Sequence, residues 1–347
     1  MTRHANIPIF IPHLGCPNQC VFCNQRSISG VVEFDISRVR SEIENALATI
    51  PDGTETEIAF FGGSFTGIDY ELMCNLLEIA HSYVKAGLVS SIRCSTRPDY
   101  INEKILDTLK KYGVRVIELG LQSMSDEVLL ATKRGHTASD AIAACQMIRE
   151  RGFMLVGQMM LGLPLSERED ELETARFIAS VADAARIYPT VVFHDTELCS
   201  MAREGDYIPL TLDEAVSRGA DVLDVFLERG VKVIRIGLCA SENLASDTTY
   251  YAGPNHPAIG ELIENELYFK KICLLLDGQK KREKTKLTVY VAAGATSKAV
   301  GQSKKNTERL ISKYGFSSVK ICESAALSGY DIEVEITEGK NNVLKIT

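Results

Sequence analysis

The amino-acid sequence predicts an α/β protein: a partial parallel (βα)6 TIM-like barrel followed by a small C-terminal α+β domain. Two patterns and one break carry the prediction. Short apolar, β-rich runs alternate with longer stretches whose apolar residues recur at helical spacing, from residue 7 to residue 238. After Leu238 the alternation stops, and a later charged segment leads into a strand–helix–helix–strand series. Strands separated by helices pair in parallel through right-handed crossovers, and ligands collect at the carboxyl ends of such strands.

The first run, Ile7 to Pro12, leads into a cysteine-rich loop, and SRVRSEIENALATI is the first amphipathic stretch. The second run, Glu57 to Phe61, opens the glycine-rich FFGGSFTG. The third, Ser91 to Ser95, delivers Ser95, Thr96 and Arg97 to its carboxyl end, after which NEKILDTLKKYG reads as a helix stopped by Gly113. Gln122 and Ser123 follow the fourth run, Val116 to Leu121. The fifth, Met154 to Leu161, carries Gln158 and ends in LGLP; the sixth, Ala185 to Val192, puts His194 and Asp195 toward a substrate; the seventh is Val231 to Leu238. AGPNHPAIGELIENELYFKKICLLL then reads as a turn, with Pro254 and Pro257, entering one long helix. The expected division is a barrel over 1–240, a helical extension and linker over 241–280, and a small basic domain over 281–347, with the boundary inside Asp277 to Lys286.

At 347 residues the chain suits one large α/β domain with an appendage, and its composition, 45% hydrophobic and 24% charged, excludes a disordered chain. No run approaches the ~18 consecutive apolar residues of a membrane span, and no secretory leader precedes the first proline. The ten cysteines therefore point to a reducing compartment, the cytoplasm, where thiols serve metals or packing. A net charge of −8 argues against a polyanionic partner for the chain as a whole. Lys280 to Lys320 nevertheless holds eleven Lys and Arg against Glu283 and Glu308, an asymmetry that marks a binding face.

GCPNQCVFCNQ spaces Cys16, Cys20 and Cys23 as C-x3-C-x2-C. Thiolates are the ligands of iron–sulfur centres, and three on one short loop can wrap a cluster without long-range folding. Three thiolates on a four-iron cube leave one iron open to the amino and carboxylate groups of S-adenosylmethionine. An electron from the cluster then breaks the sulfonium carbon–sulfur bond and gives a 5′-deoxyadenosyl radical, chemistry that belongs to the cofactors. A structural zinc site is the competing reading, with His13 as a fourth ligand. The place of the loop after a strand of a parallel array favours the cluster. Cys74, Cys94, Cys145, Cys199, Cys239, Cys273 and Cys322 stand among apolar neighbours and read as core.

The cysteine loop, with Phe22 before its last cysteine and FFGGSFTG downstream, resembles the radical S-adenosylmethionine superfamily. STRPDY, LGLQSMSDEVL, KRGHT and MLGLP, in that order, resemble the catalytic subunit of Elongator, a tRNA-modifying enzyme, from about Ile7 to Leu165 and more weakly to Leu238. GPNHPAIGELIENEL resembles bacterial relatives of that subunit. The resemblance implies a 4Fe–4S cluster on Cys16, Cys20 and Cys23. It also implies S-adenosyl-L-methionine held by Phe22, Gly62, Gly63, Ser64, Ser95, Thr96, Arg97, Gln122, Ser123, Arg134 and Gln158. In it the glycine pair admits the methionyl amino group, and the strand-end polar residues contact ribose and carboxylate. Arg134 turns a guanidinium fork on that carboxylate, and Gln158 with Leu161 to Leu163 borders adenine. Ser64 stands where many members carry Glu. Taken without the resemblance, the glycines make an ordinary βα turn, Ser95 and Ser123 cap helices, Arg97 solvates a turn, and His136 reads as a solvated loop residue with no proton transfer assigned to it. The acetyltransferase domain of the Elongator subunit has no counterpart here, so acetyl-coenzyme A is not carried over.

From Leu287 the pattern is strand (LTVYV), short helix (ATSKAV), a Gly301-Gln302-Ser303-Lys304 turn, helix (NTERLISKYG) and two strands (SVKIC, IEVEI). It is similar to the core of a KH domain, whose G-x-x-G loop grips a nucleic-acid backbone, with Lys304 replacing the second glycine. Lys298, Gly301, Lys304, Lys305 and Arg309 are the expected RNA contacts; a lid with a solvated lysine face is the plainer reading. The expected function is a radical enzyme that modifies RNA, tRNA first. Its electron donor is of the flavodoxin or ferredoxin kind, and no membrane is involved. The alternatives are a radical oxidoreductase for a small molecule such as a porphyrinogen, and a non-catalytic RNA-binding protein with a metal site.

Overall fold

A computed structural model describes residues 3–11, 14–16, 20–24, 34–238, 249–277, 285–338 and 342–346, without the side chains of 338 and 342–346. Strands β1 (His4–Phe10), β2 (Glu55–Phe61), β3 (Ser91–Thr96), β4 (Val114–Gln122), β5 (Met154–Leu161), β6 (Ala184–Pro189) and, past the two-residue β7 (Val192–Phe193), β8 (Lys232–Ile236) form the elements of the barrel half. All but β7 join one seven-stranded sheet in the order β1-β2-β3-β4-β5-β6-β8, every pair parallel. This is the expected partial barrel, six βα units closed by a seventh strand. Ile58, Ala59 and Phe60 on β2 have no exposure, as a strand covered on both faces requires.

The crossovers are α1 (Val39–Leu47), α2 (Tyr70–Lys85), α3 (Glu103–Lys111), α4 (Asp126–Ala131) with α5 (Ala138–Glu150), and α6 (Arg168–Val181); α7 (Glu197–Glu204) and α8 (Leu212–Glu228) separate β7 from β8. Helix α2 shows why they form. Met73, Leu76, Leu77, Ala80 and Tyr83 recur at helical spacing and are all buried, while the Asp69 carboxylate accepts from the Leu72 amide at 2.9 Å to start the helix. Each fully buried leucine contributes about 1.5–3 kcal/mol. Gly157 on β5 faces this helical layer: a Cβ there would lie 2.5 Å from Ile178 of α6. Its neighbour Gln158 therefore belongs to the inner, helix-free face.

The sixth predicted run is cut short. Its strand ends at Pro189, which has no amide hydrogen to continue a ladder. Val192 and Phe193 instead pair antiparallel with β9 (Tyr250–Ala252) in a small separate sheet.

Two compact units result: Met1–Leu212 with Val225–Pro257, and Asp213–Asp224 with Ala258–Thr347. The second contains α9 (Ile259–Asp277), β10 (Lys286–Val291), α10 (Thr296–Val300), α11 (Lys305–Tyr314), β11 (Ser318–Glu323), β12 (Ile332–Glu338) and β13 (Asn342–Ile346). Its sheet runs β11-β10-β12-β13, with β10 parallel to β11 and antiparallel to β12. The long helix α9, expected in a separate extension, packs here. Tyr268, Phe269, Ile272 and Leu276 share a core with Leu287, Val289, Leu310 and Ile336, so the small sheet depends on α9 for its cover. A Cβ on Gly219 would meet Ile263 at 2.4 Å, and Lys270 binds Asp221 at 2.6 Å, which ties residues 213–224 to the same helix.

Candidate active site

The cysteine loop leaves the carboxyl end of β1, where the Ile11 amide donates to the Phe61 carbonyl at 2.8 Å. Gly15 enters it at φ 76°, and a Cβ there would sit 2.4 Å from the Ser64 carbonyl oxygen; one on Gly67 would meet the Gly15 oxygen at 2.5 Å. Only two glycines allow these backbones to lie so close. Farther on, the Val21 amide donates to the Thr132 carbonyl and the Leu198 amide to the Val21 carbonyl, at 3.2 and 2.8 Å. Phe22 packs against Val21, Val192, Leu198 and Tyr207. Cys20 is buried, and Cys16 and Cys23 are half-buried. Burial pushes the Cys16 thiol above its ordinary pKa, a rise opposed by the Ser64 backbone and by the charges of Arg97 and Arg134. Among the described residues no three His, Cys, Asp or Glu side chains sit close enough to share one metal ion. His13, the fourth ligand of the zinc reading, lies outside the described residues, as does Cys239. Of the other cysteines expected in the core, Cys94, Cys145, Cys199 and Cys273 are buried, but Cys74 and Cys322 are only half-buried.

Gly62 has φ 107°, and its missing Cβ faces the Ile11 backbone at 3.1 Å. The glycine is thus required by chain-to-chain contact. Behind Gly63, Ser64, Thr96 and Thr66 make a buried hydroxyl series: Ser64 Oγ to Thr96 Oγ1 at 3.0 Å, Thr96 to Thr66 at 2.5 Å, and Thr66 to the Tyr100 carbonyl at 3.1 Å. The terminal carbonyl can only accept, so every proton runs one way: Thr66 to Tyr100, Thr96 to Thr66, Ser64 to Thr96. Ser64 is left with acceptor capacity alone. Ser95 is half-buried beside this series.

Arg134 is not arranged as the resemblance implies. Nη1 donates to Cys20 Sγ at 3.4 Å and Nη2 to the Gly120 carbonyl at 2.8 Å, so the terminal pair is engaged and only Nε lacks a partner. Arg97, 3% exposed, does not solvate a turn: it holds Asp99 through Nε and Nη2, both at 2.9 Å, and donates to the Arg134 carbonyl, leaving Nη1 without a partner. Gln122 sits at a bulge of β4 with φ 68°, and its Oε1 is buried without a donor. Its neighbour Ser123 serves the backbone, accepting from the Ser125 amide at 3.1 Å. His136 is not a solvated loop residue: it is 5% exposed and makes no hydrogen bond of normal geometry, and burial, then the charge of Arg134, holds its pKa down to about 4. Cationic groups and orphaned polar atoms thus gather beside Cys16 and Cys20, an environment suited to an anionic cluster and a zwitterionic ligand.

Gln158 does not border an apolar edge. Nε2 donates to Glu118 Oε2 at 3.0 Å, within an ionic group on the inner face that the strand pattern did not disclose. Arg93 Nη1 binds Glu118 at 2.9 Å and Nε binds Glu57 at 2.9 Å; Arg186 Nη2 binds Glu118 at 2.9 Å; Glu57 also takes Ser91 and His4. Burial alone would raise the Glu57 pKa, but Ser91, His4 and Arg93 outweigh it and hold the carboxyl below its ordinary value. His194 meets Arg203 at 3.2 Å and Tyr251 edge to face, and Asp195 is exposed at φ 60°.

In the second unit the α10–α11 turn has Gly301, Ser303 and Lys304 all at positive φ, and Lys304 and Lys305 are exposed. Lys305 already meets Asp213 at 3.5 Å, and two further expected phosphate contacts are more closely occupied. Lys298 binds Glu264 at 2.8 Å, and Arg309 binds Glu266 and lies 3.5 Å over the Phe269 ring. Counted with α9 and 213–224, the unit carries sixteen Lys and Arg against fifteen Asp and Glu, so the basic stretch is neutralised within its own domain.

Comparison with known proteins bears on this arrangement. A family model described as the Radical SAM superfamily matches residues 10–178, and one for the Radical SAM C-terminal domain matches 182–268. An uncharacterized protein of Methanocaldococcus jannaschii, MJ0486, is 30% identical over 233 residues, 63% of this chain and 70% of that protein. A tRNA uridine(34) acetyltransferase of the same archaeon is 36% identical over 125 residues, which is 35% of this chain but 23% of that enzyme. The archaeal Elp3 of Methanocaldococcus infernus superposes with a TM-score of 0.61 at 22% identity, over 78% of this chain and 64% of its own, a likeness of fold. No described helix is long and apolar enough to cross a membrane.

Proposed function

The chain belongs to the radical S-adenosylmethionine superfamily, and from that premise we propose that it modifies RNA, with transfer RNA as the first substrate to test. Cys16, Cys20 and Cys23 would hold the 4Fe–4S cluster, and the strand ends from β2 to β4 would hold S-adenosylmethionine. Bound together, these cofactors supply a 5′-deoxyadenosyl radical for hydrogen abstraction. The observation that carries the site is the placing of buried Arg97 and Arg134 beside the cysteine loop, where their charges oppose the burial that raises the Cys16 pKa and Arg134 donates to Cys20. Ser64, confined to accepting, would accept a hydrogen bond from the ligand's ammonium group where many relatives use a carboxylate. Arg134 would brace Cys20 through Nη1 and turn Nε on the carboxylate. His136 stays neutral at physiological pH and takes no charge from the ligand.

Support for RNA comes from the similarity to tRNA uridine(34) acetyltransferases, of which this chain spans 23% in the comparison above. Lys304 and Lys305 would contribute phosphate contacts, the reaction would run in the cytoplasm, and a flavodoxin or ferredoxin would supply electrons. A small-molecule substrate is the second reading, favoured by the near-neutral second unit and its internally paired Lys298 and Arg309. The deciding experiment compares modified nucleosides in RNA from a deletion strain and its parent. A nucleoside missing from the deletion and restored by the wild-type gene but not by Cys20→Ala supports RNA modification. Identical profiles, with 5′-deoxyadenosine still formed by the purified enzyme, shift the reading to a small molecule.

A further inference from the structure

The ionic group on the inner face is not balanced. Gln158, Arg186 and Arg235 are register partners on β5, β6 and β8, so they stand side by side on one face, and Tyr188 follows two residues beyond Arg186. One end of the group is sealed: Glu57, Arg93 and Glu118 are 5%, 7% and 1% exposed. The other end is open, since Gln158, Arg186, Tyr188 and Arg235 are only half-buried.

Arg93 spans both carboxylates, and Glu118 is shared between Arg93, Arg186 and Gln158. Arg186 Nε lies 2.9 Å from Glu118 Oε2 but is not aligned to donate to it. Arg235 donates through Nε to the Gly237 carbonyl at 3.1 Å and, among the described residues, meets no carboxylate. Three guanidinium groups therefore face two carboxylates, with His4 able only to add positive charge. Two of the three occupy directly opposed positions on neighbouring strands. Like charges so placed destabilise a sheet, and a poorly solvated charge left unpaired costs more. Tyr188 accepts from Arg186 Nη1 at 3.4 Å, which leaves its own hydroxyl proton to donate.

We propose that Arg186, Arg235 and Tyr188 form a binding site for an oxyanion, a carboxylate or phosphate group of a molecule that enters the barrel alongside the cofactor. The two guanidinium groups bracket the anion, the phenol donates a third hydrogen bond, and the bound charge restores balance to the row. The site goes beyond the RNA reading and stands or falls independently of it.

The test uses the full chain, reconstituted anaerobically, and reads its melting temperature at fixed ionic strength with chloride, inorganic phosphate, acetate or neutral acetamide. Phosphate or acetate is expected to raise the melting temperature above that in chloride, with acetamide inert. Arg235→Gln should abolish the rise while S-adenosylmethionine binding persists; Arg235→Lys should keep part of it, and Tyr188→Phe should weaken it. If Arg235→Gln does not fold, the Lys and Phe variants carry the comparison. An oxyanion response absent from the wild type, or equal in wild type and variants, overturns the site. Loss of cofactor binding together with the response also overturns it, by assigning Arg235 to the cofactor. Whichever of phosphate and acetate acts names the group, and displacement of phosphate by an RNA oligonucleotide identifies its source as the nucleic acid.

Discussion

At the residue scale, single side chains set how this protein responds to acid and to substitution. His136 is buried as a neutral imidazole, with its pKa lowered to about 4 from 6.5. A depressed value means that the unfolded chain binds the proton first. Stability is whole above pH 6.5 and falls as pH drops toward 4, by on the order of 3 kcal/mol. Urea unfolding at pH 7 and pH 5 should show this loss in the wild type and a smaller one in His136→Gln. Glu118→Ala leaves Arg186 without a carboxylate and Arg93 with Glu57 alone, and should cost about 3–5 kcal/mol, measured by the same unfolding. The roles of such residues were only partly legible in the sequence. Cys16, Cys20 and Cys23 announce themselves by spacing, and Gln122 by its place after a strand. Arg134 does not: a sequence shows that a guanidinium is near the site, but not that Cys20 and Gly120 already occupy its two terminal nitrogens.

At the scale of elements, long amphipathic helices and apolar parallel strands were readable because burial imposes a period on them, as in α2 and β2. The short pieces were not. β7 and β9 are two and three residues long, and only their mutual pairing defines them. Arg93, Glu118, Arg186 and Arg235 each stand as a charge within a strand run; the signal in the sequence is that four parallel strands all carry one. In the first turn of α11, Asn306 is 2% exposed and donates to the Asn265 and Ala299 carbonyls at 2.7 and 3.2 Å. Asn306→Ala removes both buried hydrogen bonds and should lower stability by about 1–3 kcal/mol in thermal or urea melts. Lys304 holds φ 64°, a region costly to any residue with a Cβ. Lys304→Gly should therefore stabilise the protein by up to about 1 kcal/mol while weakening RNA binding.

For the whole molecule, charge is arranged by domain rather than by stretch. The basic run that stood out in the sequence is offset by acids from α9 and from residues 213–224, which are distant in the chain and so invisible to a local count. RNA binding through Lys304 and Lys305 alone should release few counterions. A plot of log affinity against log salt for a single-stranded RNA should have a slope of about −1.4, the value for two phosphates. A much steeper slope would mean that other cations carry the contact. The barrel half holds its chemistry differently, through backbones that interlock. Because Gly15 and Gly67 fit only against each other's backbone, the cysteine loop is not a portable module. Grafting it onto a foreign scaffold would require transplanting FFGGSFTG with it, and a donor loop with alanine at either position would have no room to seat.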